Sequence, residues 1–309
     1  TWEAFAHGAE VVSYFRWRQV PFAQEQMHAG LLRPDSEPAP GSHEAAQVAQ
    51  EAAELELPET GRAPVAILFD YEADWLFTAH PQGREYSFKH ITFDWYIALR
   101  RLGLDVDFLR PDAPLDGYRM ILAPSLPMVP PALADRLAAA AAAGTRLVFG
   151  PRAGSKTETL QIPKTLPPGP LADLAGFTVA RVESLDPAFV ETLLWEGRTY
   201  QARGWREDSS GTAEVTARFA DGWPALLRQG PVHSAACLPD EVLLADWLDS
   251  IAREAGLAPQ RLPMGVRLRR RGDVTFAVNY GGESWPLPAG ATPLMGGPVL
   301  EPQGVAAWR

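Results

Sequence analysis

From Ala63 onward, apolar and polar positions alternate between two rhythms. Ala63 to Phe69 is a continuous apolar run, the mark of a strand covered on both faces. Phe88, Ile91, Trp95, Leu99 and Leu102 then recur at helical spacing, and Gly103 stands where a glycine closes a helix. Val106–Leu109 and Arg119–Ala123 read as further strands. Pro131–Ala143 reads as an Ala-rich helix ending at Gly144, and Arg146–Phe149 as a fourth strand. This β-α-β-β-α-β order predicts a mostly parallel sheet with helices on its faces. Residues 177–235 have a weaker rhythm and predict mixed strands with short helices. Glu241–Ala255 places Leu244, Trp247, Leu248 and Ile251 on one helical face. There is no internal repeat.

The pattern changes at both ends. After Leu257, Val266–Arg269, Val274–Asn279 and Gly304–Trp308 alternate like short strands, with Gly281, Gly282 and Pro/Gly clusters around 286–298 supplying turns. They predict a small antiparallel β domain. Arg267, Arg269, Arg270 and Arg271 read as the wet side of an edge strand, where charge blocks unwanted pairing. Pro34, Pro38, Pro40 and Gly41 read as a linker. Ser42 suits the N-cap of a following helix, with Val48, Ala52 and Leu55 on one face and Pro58 and Gly61 closing it. Its acids are expected to face water. Ala9–Phe15 reads as a strand, followed by a cluster of Trp, Arg, Gln, Glu and His up to His28, the composition of an active-site rim. A strand and loop of about thirty residues cannot bury a core of their own. With Thr1 in place of a Met, the chain is expected to be the C-terminal part of a longer enzyme.

Composition narrows the function classes. The 309 residues are 46% hydrophobic and 21% charged, as in an ordinary globular protein, and the formal net charge of −10 argues against a nucleic-acid binder. No apolar run reaches the length of a membrane span. The single cysteine excludes an intramolecular disulfide framework and a thiolate-rich zinc site. It is compatible with a reducing cytoplasm, the expected compartment. The six histidines are scattered without metal-ligand spacing, so neither metal nor cofactor is expected.

Glu25 and His28, three apart, share a face if they sit on a helical turn. A carboxylate and an imidazole beside Trp17 suit a sugar, offering hydroxyl partners and an aromatic face for C–H groups; a surface Glu and His is the plainer alternative. Gly150–Thr157 follows a strand and nearly matches a phosphate loop. However, Ser155 replaces a needed glycine, and Pro163, Pro167 and Pro168 break the helix that should follow. It is read as a structural turn. Arg271-Gly272-Asp273 is likewise read as a turn between strands.

The run Phe15-Arg16-Trp17-Arg18-Gln19, with Glu25 and His28, resembles the last strand and loop of the catalytic barrel in family 42 β-galactosidases. Val65–Asp70, Leu104–Asp112, Tyr118–Pro124 and Leu147–Gly154 resemble, in order, landmarks of that family's trimer-forming domain. The likeness covers nearly the whole chain. It implies an α/β fold: a flavodoxin-like doubly wound parallel sheet of the class I glutamine amidotransferase type. A remnant of a (β/α)8 barrel precedes it, and the small antiparallel β domain follows. The segments would be 1–33 (barrel end), 34–61 (linker and connecting helix), 62–257 (trimerisation domain) and 258–309 (β domain).

The resemblance further implies a homotrimer that hydrolyses terminal non-reducing β-D-galactosides with retention, with Glu25 and His28 binding the galactosyl hydroxyls beside Trp17. It does not make Glu25 the nucleophile. Retention needs two carboxyl groups roughly 5–5.5 Å apart, and in the family both come from earlier barrel strands, as does the cysteine zinc site. Glu3 and Glu10 do not inherit that role, so the chain alone is expected to be inactive. An amidotransferase-like hydrolase fails for want of a cysteine at the turn near Gly150, since Cys237 lies far downstream and reads as a buried thiol. A non-catalytic interaction or assembly module is the alternative from another class.

Overall fold

The computed structural model describes residues 1–309, which divide into two compact units. One comprises Arg62–Arg261; the other joins Thr1–Gly61 with Leu262–Arg309. The chain begins with a short helix, α1 (Trp2–Ala6), and Ala9–Phe15 forms no strand. Alternation alone does not make a strand, because its backbone groups need ladder partners, and here Val11 and Phe15 lie exposed. The core is supplied by α1 instead: Trp2 and Ala6 are buried, and Trp2 stacks on Phe276 at 5.9 Å. Helix α2 (Pro40–Glu54) starts at Pro40, not at Ser42; Ala39 is its N-cap and makes no side-chain cap bond. Proline's fixed φ suits the first helical position without a hydroxyl cap. The stripe Val48, Ala52 and Leu55 packs with Trp2, Phe276 and Ala307, and Glu51 is drawn inward by Trp2 Nε1 at 2.7 Å.

The larger unit opens as the sequence pattern predicts. Strands β1 (Val65–Leu68), β2 (Val106–Leu109), β3 (Met120–Ala123) and β4 (Arg146–Phe149) are parallel neighbours in the order β2-β1-β3-β4. Between β1 and β2 run α3 (Tyr71–Ala79) and α4 (Phe88–Arg101), and α5 (Pro131–Ala142) joins β3 to β4. Helix α3 was not legible, because Tyr71 and Trp75 face outward and blur the inward stripe of Ala73, Leu76 and Phe77. Asp70 starts it, its carboxylate accepting the Glu72 N–H at 2.9 Å. Ser87 caps α4 in the same way.

Past the short helix α6 (Ala172–Ala175) come β5 (Phe177–Ser184), β6 (Glu191–Trp195), β7 (Arg198–Gly211), β8 (Glu214–Phe219), β9 (Pro224–Gln229), β10 (Val232–Ala235) and β11 (Cys237–Pro239), then α7 (Glu241–Glu254). The full sheet has eleven strands, ordered β11-β7-β6-β8-β9-β10-β4-β3-β1-β2 with β5 on β7. Strand β10 is parallel to β4, and the pairs beyond it are antiparallel. The sheet is therefore mixed, not mostly parallel, and residues 177–235 contain no helix. Tight turns cause this: Glu196 and Gly197 both take positive φ (47° and 75°), and Gly222 and Gly230 do the same. Such hairpin turns reverse the chain, whereas parallel neighbours need a crossover of a dozen or more residues.

Both faces of the parallel part are covered. Val65 and Ile67 join one core with α3, α4 and α7, while Ala66 and Leu68 join another with α5 and α6. Trp95 and Trp247 meet edge to face at 5.9 Å across α4 and α7.

The rest of the smaller unit is antiparallel, as expected. Strands β12 (Val266–Arg271), β13 (Val274–Asn279), β14 (Trp285–Pro286), β15 (Pro293–Met295), β16 (Val299–Leu300) and β17 (Val305–Trp308) form a sheet ordered β12-β13-β17-β15 and a β14-β16 pair. Strand β12 is an edge, but its arginines are not uniformly on the wet side: Arg269 and Arg271 are buried, and Arg270 alone is exposed. Arg271 donates to Phe5 O at 2.7 Å and Pro58 O at 2.6 Å. Phe5 O, near the end of α1, also accepts the Gly8 N–H at 3.0 Å, whereas Pro58 O lies in a loop, where no ladder would satisfy it. Gly272 and Asp273 make the turn into β13. No helix is long and apolar enough to cross a membrane.

Candidate functional site

Residues 16–33 form a closed loop. Two stretches lie side by side: Leu31 N–H donates to Arg16 O at 2.9 Å, Leu32 N–H to Trp17 O at 2.8 Å and Gln19 N–H to Leu32 O at 3.0 Å. Gly30 permits the approach, since a Cβ there would sit 2.7 Å from the Arg18 and Gln19 backbone. At the tip, Gln19 Nε2 donates to Gln26 O at 2.7 Å, and the His28 N–H closes one turn on Glu25 O at 3.2 Å. Glu25 and His28 thus share a turn, although no regular helix forms.

The three residues singled out from the sequence are placed unequally. Glu25 Oε2 pairs with Arg16 Nη2 at 2.5 Å, and Arg16 also reaches Glu25 O at 3.4 Å. The Arg16 guanidinium lies 4.7 Å from the Phe15 ring centre, and Phe15 meets the His28 ring edge-on at 5.6 Å. A contact chain Glu25–Arg16–Phe15–His28 therefore links the carboxylate to the imidazole. Trp17 is 71% exposed and lines an open hollow of about 560 Å³ with Arg16, Arg18, Val20, Leu32 and Ser36. Glu25 and His28 are not on that lining, and Arg16 is the link between the groups. Arg16 carries no sequence signal of its own, because it stands within the aromatic-basic run without a marked spacing.

The other candidates are structural. Gly150–Thr157 is a turn with no helix after it; Ser155 Oγ donates to Arg152 O at 2.8 Å and Lys156 N–H to Pro127 O at 2.9 Å. Cys237 is fully buried in the core, which pushes its thiol pKa up and keeps it protonated. Nearby, buried Glu207 accepts from the Arg152 N–H at 3.0 Å and Trp205 Nε1 at 3.1 Å, and burial pushes its carboxyl up. The cavity beside it holds about 10 Å³, too little for a ligand. No group of three or more His, Cys, Asp or Glu could hold a metal ion.

Residues 63–258 match the family model described as the β-galactosidase trimerisation domain. The chain belongs to the family 42 β-galactosidases. Residues 1–55 match a second model of the family, described as β-galactosidase. Among curated relatives, a β-galactosidase of a Thermus species is 51% identical over 311 residues, covering 100% of this chain and 48% of that protein. One from Thermus thermophilus is 50% identical with the same coverage. The solved β-galactosidase of the psychrophilic Marinomonas ef1 superposes with a TM-score of 0.94 at 40% identity, covering 100% of this chain and 48% of that one. The enzyme of the Antarctic haloarchaeon Halorubrum lacusprofundi gives 0.94 at 34%, covering 99% and 48%. The chain spans about half the length of the relatives it matches.

Proposed function

We propose that this chain works as part of a homotrimeric β-galactosidase that hydrolyses terminal non-reducing β-D-galactosides with retention. The observation that carries the reading is 51% identity to a Thermus β-galactosidase along the entire chain. On this reading residues 1–33 are the end of the catalytic barrel, 34–61 a linker and connecting helix, 62–257 the trimerisation domain and 258–309 the β domain. The order β2-β1-β3-β4-β10, all parallel, supports a flavodoxin-like core to which the antiparallel strands are added.

The carboxyl pair that performs retention comes from outside these residues. Glu25 and His28 bind galactosyl hydroxyls, and Trp17 offers its face to the sugar's C–H groups. Arg16 occupies Glu25 Oε2 and so orients the carboxylate, leaving Oε1 to accept a hydroxyl. Val11, Tyr14, Phe15, Phe22 and Met27 are all exposed around this loop, which supports packing of the remaining barrel against it. The test is a chromogenic β-galactoside assay on the full-length protein and its Glu25→Gln variant. Losing a hydrogen bond to a charged group should lower kcat/KM by roughly ten- to a hundredfold. An unchanged kcat/KM would remove Glu25 from the galactose pocket.

A further inference from the structure

Six aromatic side chains of the larger unit form a continuous ribbon. Ring centres lie 6.4 Å apart from Trp75 to Tyr71, 5.0 Å from Tyr71 to Phe69 and 6.2 Å from Phe69 to Phe108. The path continues 5.3 Å from Phe108 to Tyr96 and 6.3 Å from Tyr96 to Phe93. Four of these rings are largely in water: Tyr71 is 62% exposed, Trp75 64%, Phe93 57% and Phe108 49%. Their placement follows from the fold. Helix α3 turns Ala73, Leu76 and Phe77 inward, and Tyr71 and Trp75 project from its other face. Helix α4 buries Ile91 and Trp95 and leaves Phe93 outside. Strand β2 is the last strand of the sheet, so Phe108 stands on an open edge.

The β2 edge adds the single ring of Phe108 to those projecting from α3 and α4. Four rings, each about half to two-thirds exposed, leave on the order of 500 Å² of apolar surface. That equals the largest patch on an ordinary monomer, about 300–600 Å². It would also fill the apolar centre of one side of a standard interface, about 800 Å² per partner. Helix α4 widens the face: past Phe93, His90, Asp94 and Ile97 line a hollow of about 570 Å³, with Arg203 and Asp240 also on its walls. All these residues fall within 63–258, the part matched to the family's trimerisation domain.

We propose that this aromatic ribbon is the surface by which one copy of the protein grips the next. The proposal rests on the homotrimer reading and assigns that contact to named residues. A closed ring of three has heterologous interfaces, so the ribbon meets a different patch on the neighbouring copy.

The test is sedimentation equilibrium of the wild-type protein and of a Trp75→Ser/Phe93→Ser variant, both side chains being exposed. Truncating central aromatic anchors should weaken self-association by about tenfold or more. A trimeric wild type and a dissociated variant support the proposal. A variant as trimeric as the wild type overturns it and leaves the homotrimer reading intact. A wild type that never self-associates overturns both. Hydroxyl-radical footprinting of the unaltered protein gives a second readout that needs no variant. Tyr71, Trp75 and Phe93 should be protected in the trimer and become reactive on dilution; reactivity unchanged between trimer and monomer would refute the assignment.

Discussion

Acidifying this protein should cost stability through one buried histidine. His233 lies on β10 among packed strands, and burial, with Arg228 and Arg146 nearby, pushes its pKa down from 6.5 to about 4. Glu254 Oε2 lies 3.6 Å from His233 Nε2, a geometry that would favour the charged ring. That carboxylate is already shared by Arg228 at 3.0 Å and Arg146 at 3.8 Å, and the ring nitrogen has no hydrogen-bond partner, so the neutral form prevails. The folded state then binds no proton at His233 until the pH falls to about 4, whereas the unfolded chain takes one up near 6.5. The stabilisation is complete above 6.5 and is lost as the pH falls towards 4. A gap of about 2.5 units corresponds to about 3 kcal/mol in full, of which about 2 kcal/mol should disappear between pH 7 and pH 5. Urea unfolding of the wild type and of a His233→Leu variant across that range measures it. The variant should lose about 2 kcal/mol less than the wild type on acidification. Parallel pH profiles would show that His233 titrates alike in both states and would refute the argument.

Three further outcomes follow from named contacts. Glu207→Gln keeps an acceptor for Trp205 and Arg152 but removes a carboxyl whose pKa burial raises. Ionising that carboxyl in the fold is costly, so the variant should gain stability over the wild type as the pH rises and match it in acid, read from thermal melts; a constant offset would contradict this. Arg271→Leu strips its donors from Phe5 O and Pro58 O; Phe5 O keeps the Gly8 N–H at 3.0 Å, so Pro58 O alone is orphaned, and the smaller unit should lose about 1–3 kcal/mol in urea titrations. Gly30→Ala should open the 16–33 loop and speed proteolysis there, because its Cβ would meet the Arg18 and Gln19 backbone; an unchanged cleavage rate would count against the close packing.

Legibility in the sequence tracked the physical origin of each element. The four parallel strands could be read because burial on both faces demands continuous apolar runs, and β1 does divide its side chains between two cores. The antiparallel half hid behind its turns. Glu196-Gly197, Asp221-Gly222 and Gly230-Pro231 are hairpin signals in the sequence, but mixed burial blurs the periodicity of residues 177–235. Helix α3 escaped because its outward Tyr71 and Trp75 spoil the stripe, and those outward rings belong to the ribbon. The burial of the β12 arginines is not legible because charge ordinarily marks a wet face, whereas Arg271 is drawn inward by the Phe5 and Pro58 carbonyls. At the loop of residues 16–33, the turn joining Glu25 to His28 was legible from their spacing. Arg16 was not, because its role comes from a fold-back closed by Gly30.

The central claim is that this chain completes a β-galactosidase without carrying its catalytic carboxyl pair. The most direct measurement compares chromogenic β-galactoside turnover by the 309-residue chain alone and by the chain fused behind the N-terminal half of the Thermus thermophilus relative. The chain alone should give no turnover, whereas the fusion should be active, release β-galactose first and lose roughly ten- to a hundredfold in kcat/KM on Glu25→Gln. Turnover by the chain alone, abolished by replacing one of its own glutamates, would contradict the claim. So would a folded, trimeric fusion that hydrolyses no β-galactoside.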